Sequence, residues 1–129
     1  MTFTTFVLAS LLCLPANTVT EVPVDEPPTC SALECYRSAL GALRDSQPDE
    51  ALKYCDEGIR AIELLEKRGS KIRKAQLHEI AGDAHTLKGE YSLAARHYGR
   101  AKSLFEANYT SDHWRLTELT RKLRGVGVD

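Results

Sequence analysis

QLHEIAGDAHTLKGEYSLAARHYGRAKSLFEA, residues 76–107, is the stretch whose reading decides the fold. Its apolar positions fall at steps of three and four: Leu77, Ile80, Ala81, Ala84 and Leu87, then Tyr91, Ala94, Tyr98, Ala101 and Phe105. That spacing keeps one face of a helix in contact with a core. The tight Lys88-Gly89-Glu90 interruption between the two runs forces the helices back against one another. The stretch therefore predicts an antiparallel helical hairpin, with helices over about 71–87 and 91–107.

Working outward, three more helices are expected. The first spans about Ser31 to Arg44 and opens with the capping box Ser31-x-x-Glu34. Asp45-Ser46-Gln47 ends it, and Pro48 is suited to the first turn of a second helix reaching about Lys67. That helix carries Ala51, Leu52, Cys55, Gly58, Ile59, Ile62 and Leu65 on one side. Arg68-Gly69-Ser70 closes it, with Gly69 as C′ residue and Ser70 as the next N-cap. A shorter helix follows Ser111 or Asp112 as cap, bears Trp114, Leu116, Leu119 and Leu123, and stops at Gly125. The fold class is all-α: two stacked antiparallel hairpins and a C-terminal capping helix. A plain four- or five-helix bundle without a groove is the alternative.

Residues 76–107 resemble a tetratricopeptide repeat, whose pattern sets Leu-Gly, a Tyr and Ala-x3-Phe at fixed offsets. Ala81-Gly82 stands at the Leu-Gly pair, Gly89-Glu90-Tyr91 at the turn, and Ala94-x3-Tyr98 at Ala-x3-Phe, with Ala101 at the next small position. Gly82, Ala94 and Ala101 are small where helices must approach closely, and Tyr91 and Tyr98 are expected to fill gaps between adjoining helices. His78 and His85 depart from the pattern at its Trp and Tyr places, and Glu106 stands near its proline. The first hairpin, Ser31 to Lys67, is a fainter copy, with Ala51 lying 43 residues before Ala94 where the standard period is about 34.

The resemblance implies that the first helix of each hairpin lines a concave groove for an extended or helical peptide. Carried onto this chain, the groove residues are Tyr36, Leu40, Leu43 and Arg44, then Gln76, Glu79, Asp83, Thr86 and Leu87. Glu79 and Asp83 stand where the carboxylate-gripping subgroup needs Lys and Asn, so a ligand with a basic segment beside apolar anchors is expected instead. A plain solvated helix face is the alternative for these two acids.

The N-terminal quarter is different in character. No Lys or Arg precedes Arg37, and Phe6 to Ala16 is an apolar run too short for a bilayer span of about 20 residues. Residues 1–20 read as a secretory signal peptide or an apolar arm, with Ala16-Asn17-Thr18 the nearest cleavage motif. Residues 21–30 read as an extended linker, 31–124 as the helical domain and 125–129 as a tail. A signal peptide would route the protein to the secretory pathway or beyond; without it the chain would stay cytoplasmic. Cys30, Cys35 and Cys55 would then be three cysteines in an oxidising compartment, allowing one bridge and one free thiol, an intermolecular bond, or all buried thiols. Asn108-Tyr109-Thr110 is a glycosylation sequon in an expected loop.

Composition narrows the function. A formal charge of -1 over 129 residues argues against nucleic-acid binding, which usually calls for a markedly basic surface. The chain has no phosphate-binding glycine loop, no Cys-x-x-Cys and no nucleophile elbow. His78 and His85 are seven apart, whereas helical metal pairs favour i, i+4. Stray histidines, no enzyme activity, no metal and no cofactor are expected. The leading expectation is a non-enzymatic module binding a protein or peptide partner. The alternatives are a secreted helical carrier or signalling factor, and a short isoform or fragment of a longer repeat protein.

Overall fold

The computed structural model describes residues 28–65 and 71–128, and the described residues are helical with short turns. In chain order the helices are α1 (Ala32–Arg44), α2 (Pro48–Leu65), α3 (Lys71–Leu87), α4 (Tyr91–Glu106) and α5 (Trp114–Gly125). The apolar run and cleavage motif before residue 28, and the Arg68-Gly69-Ser70 connection, lie outside the described residues.

The local signals act as chemistry requires. Ser31 caps α1: its Oγ accepts from Glu34 N at 3.2 Å, while Ser31 N donates to the Glu34 carboxylate at 3.1 Å. Thr29 N and its hydroxyl both donate to Glu57 of α2, fastening the entry segment to the first hairpin. Gly89 takes the left-handed position, φ 76°, in the α3–α4 turn, where a side chain would be strained.

The helices pair α1 with α2 and α3 with α4 as antiparallel hairpins, α3 joins the two by packing on α1 and α2, and α5 covers α4. Two apolar clusters result. One gathers Ala32 and Ala39 of α1, Ala51, Cys55 and Ile62 of α2, and Leu77, Ile80, Ala81 and Ala84 of α3. The other gathers Ala75 of α3, Ala94, Tyr98, Ala101 and Phe105 of α4, and Leu116, Leu119 and Leu123 of α5. Phe105, Leu77 and Leu119 are the largest side chains wholly inside, each worth about 2–3 kcal/mol of burial.

Small residues set the closest approaches. A Cβ on Gly82 would lie 2.4 Å from the Tyr98 ring, and one on Gly58 would lie 2.8 Å from Leu77 and 3.1 Å from Cys35. Tyr98 fills the gap over Gly82 as expected, but Tyr91 does not: it opens α4 with half its surface in solvent, 53% exposed.

One further expectation is corrected, and one left open is decided. Neither Ser111 nor Asp112 caps α5; His113 does, its Nδ1 accepting from Arg115 N at 3.2 Å. The Asp112 carboxylate is already taken by the Thr110 hydroxyl at 2.6 Å, and Tyr109 stacks on His113 at 3.8 Å, holding the imidazole in place. Cysteine pairing also resolves: Cys30 and Cys35 are bridged across the start of α1, with Cα atoms 5.8 Å apart, and Cys55 is a free thiol. Burial beside Asp56 and Asp83 pushes the Cys55 thiol up to about 12, so it stays protonated and inert at neutral pH.

Candidate functional site

Helical spacing on three elements converges on one shallow cleft of about 300 Å³. From α1 come Tyr36 and Leu40, one turn apart. From α3 come Gln76, Glu79, Ile80 and Asp83, spread over two turns of one face. From α5 come Trp114, Arg115 and Lys122. Five of the nine groove residues expected from sequence are therefore brought together: Tyr36, Leu40, Gln76, Glu79 and Asp83.

The other four do not line this cleft. Leu43 is half-buried against the first apolar cluster, and Arg44 is exposed at the end of α1. The Thr86 hydroxyl turns back to donate to Gly82 O at 2.9 Å and lies 3.2 Å from the Tyr98 hydroxyl. Leu87 sits at the exposed end of α3. All four belong to the last turns of their helices, where the hairpin turns begin.

The acidic pair is not free. Lys122 Nζ donates to Glu79 at 2.8 Å and to Asp83 at 3.0 Å, and Arg115 approaches Glu79 at 4.0 Å. The Tyr98 hydroxyl donates to the other Asp83 oxygen at 2.5 Å. Burial works against the Lys122 ammonium, yet Asp83 and Glu79 outweigh it and hold its pKa above the ordinary lysine value. Burial, then donation to Asp83, pushes the Tyr98 phenol upward. Glu79, Asp83 and Lys122 are each at most about a quarter exposed, so this α3–α5 bridge is screened less than a surface pair.

Next to that bridge the cleft presents rings. The Arg73 guanidinium lies 4.5 Å over the Tyr36 ring and donates to Gln76 at 2.8 Å. Arg115 lies 4.7 Å over Trp114, whose surface is 64% exposed. Trp114, Arg115 and Lys122 were missed from the groove because α5 reads in sequence only as a cover for α4. The signal available for them was slight: Arg115 and Lys122 lie seven apart, on one face of a short helix.

Three of the histidines, His78, His85 and His97, pack together across the second hairpin. His78 and His97 share a hydrogen bond between Nδ1 atoms at 3.0 Å across the second hairpin. His85 stacks on His97 at 5.2 Å, and its Nδ1 meets Glu90 at 2.8 Å. Burial, followed by the neighbouring His97, Arg100 and Lys74, pushes His78 down to about 4. Burial, then His85, Arg100 and Arg96, does the same to His97. Among the described residues, no group of three or more His, Cys, Asp or Glu is arranged to hold a metal ion. No described helix is long and apolar enough to cross a membrane. Asn108 is exposed in the α4–α5 turn, its amide donating to Leu104 O at 2.9 Å.

Comparison of the chain with protein-family models, curated proteins and solved structures found no match in any of the three.

Proposed function

We propose that the chain is a non-enzymatic interaction module whose concave cleft, formed by α1, α3 and α5, holds a peptide or partner helix in the manner of a tetratricopeptide-like groove. The observation that carries this reading is the convergence of Tyr36, Leu40 and the exposed Trp114 around one cleft. Exposed aromatics beside charged side chains are the usual anchors of protein recognition. The bridge of Lys122 to Glu79 and Asp83 offsets the acidic charge, which lessens the case for a basic ligand. Apolar and aromatic anchors on the partner fit the cleft better, with polar ends for Arg73 and Arg115.

A displayed library of random peptides selected on the full chain tests this. Enriched sequences should carry an aromatic or aliphatic anchor, and Trp114→Ala or Tyr36→Ala should weaken them at least tenfold by calorimetry. Selection of nothing, or binding indifferent to both substitutions, would sink the reading.

The secretory route is proposed on the Phe6–Ala16 run and is supported by the Cys30–Cys35 bridge, which persists in oxidising compartments. N-terminal sequencing and intact mass of the protein made in a eukaryotic cell would report cleavage between Ala16 and Thr20 and sugar on Asn108. An uncleaved, unglycosylated cytosolic product would refute it.

A further inference from the structure

The two faces of α3 look into different spaces. At 100° per residue, Gln76, Glu79, Ile80 and Asp83 cluster on one side, while Lys74 and His78 lie opposite. That opposite face opens into a second cleft, of about 570 Å³, between α2, α3 and α4. Its apolar strip is Ile59, Gly99 and Leu104, and its rim carries Lys74, Arg96 and Arg100. Glu63, the one carboxylate among its described lining residues, is held by Lys74 at 3.0 Å. Among the described residues, Arg96 and Arg100 have no carboxylate partner. A Cβ placed on Gly99 would touch nothing within 4 Å, so the floor of the cleft is open.

Two guanidinium groups with no carboxylate partner among the described residues, beside an apolar strip, define the ligand chemistry. Planar guanidinium groups match carboxylate and phosphate oxygens in paired hydrogen bonds. Ile59 and Leu104 offer contact to a short hydrocarbon body. The volume falls within the ~300–1,000 Å³ typical of small-ligand sites. We propose that this cleft binds a small amphipathic organic anion, its head on Arg96 and Arg100 and its body over Ile59, Gly99 and Leu104. The site is separate from the concave groove and does not depend on it. Burial first, then a neighbouring histidine and Arg100, hold the adjoining His78 and His97 below the ordinary histidine value, so both stay neutral at pH 7 beside the cleft.

The test is an amide-shift NMR titration of the full chain with octanoate and, in parallel, octyl phosphate. Octyl glucoside, inorganic phosphate and a hexaglutamate peptide serve as comparators. Saturable shifts at Gly99, Arg100, Ser103 and Leu104 are expected with one or both amphipathic anions; the tighter of the two identifies the headgroup. Arg96→Gln with Arg100→Gln should weaken binding at least tenfold. Gly99→Leu, which fills the floor where the structure has room, should abolish it while leaving the remaining spectrum intact and the melting temperature no lower. If Gly99→Leu does not fold, the arginine pair carries the test. Trp114→Ala should leave this binding unchanged, which separates its fate from that of the concave groove. The proposal is overturned if no shift saturates, or if the glucoside or inorganic phosphate binds as tightly as the amphipathic anions. It is equally overturned if hexaglutamate binds more tightly, or if Gly99→Leu folds and still binds.

Discussion

The first hairpin closes on Cys35, Ala39, Ala51 and Cys55, small side chains that meet without a buried hydrogen bond between them, under a Cys30–Cys35 bridge. The second closes on Tyr98 against Gly82, with the phenol tied to Asp83 and His78 tied to His97. Both have the same outline of two antiparallel helices, yet their interiors obey different physics. Apolar packing depends on volume and is indifferent to pH. Hydrogen-bonded packing fixes position as well, and it fails when a partner moves or changes charge. One helical outline can thus be closed by two kinds of interior with different vulnerabilities.

A matched pair of substitutions should break the two apart most sharply. Gly82→Ala drives a methyl into the buried Tyr98 ring and pulls the phenol off Asp83, at an expected cost of about 4 kcal/mol. Gly58→Ala meets chiefly the branched end of Leu77 and recovers helix propensity, so about 1 kcal/mol is expected. Urea denaturation of both variants measures the gap; equal losses would show that the two interfaces are equally forgiving.

Acid should then single out the second hairpin. His78 titrates near 4 in the folded protein, against about 6.5 when unfolded. Between those values the unfolded chain takes up a proton that the folded chain refuses, so stability is complete above about pH 6.5 and is lost as pH falls toward 4. The loss for His78 is on the order of 3 kcal/mol. Unfolding measured from pH 7 to 4.5 should slope accordingly, and His78→Gln with His97→Gln should flatten it. A slope that the double variant leaves untouched would assign the acid sensitivity elsewhere.

Reduction should touch only the first hairpin, and least. The bridge joins cysteines five apart, and closing so short a loop contributes about 2 kcal/mol. Cys30→Ser should lower stability by that amount without altering the pH slope. No change in the denaturation midpoint would mean that the Ser31 cap and the Thr29–Glu57 bonds hold the start of α1 without the bridge.

How much of this was legible in the sequence follows from the range of each signal. The capping box at Ser31, Pro48 in the first turn of α2, the Lys71–Leu87 limits and the Gly125 stop are local, and each stands where the pattern put it. Tyr36, Leu40, Gln76, Glu79 and Asp83 share a cleft because helical spacing alone places residues on a face. Contacts across the chain were not readable in the same way. Lys122 reaches Glu79 over 43 residues and Asp83 over 39, and no periodicity within α5 points to α3. His78 meets His97 over 19 residues; the Lys88-Gly89-Glu90 turn sets the two helices side by side, but the helical repeats do not state which turns face each other. The cap of α5 went unread because a stacked imidazole replaced the expected hydroxyl or carboxylate.

The position of α3 has a last consequence. It supplies Leu77, Ile80, Ala81 and Ala84 to one cluster and Ala75 to the other, so neither half of the molecule owns a complete interior. Extended repeat arrays can shed a terminal unit and keep the rest, because each unit answers only to its neighbours. Here a cut between α2 and α3 would leave α1 and α2 with half a core and strip α3 and α4 of the surface they lean on. The smallest autonomous piece of this fold is therefore the whole of it, and it should form and dissolve as one.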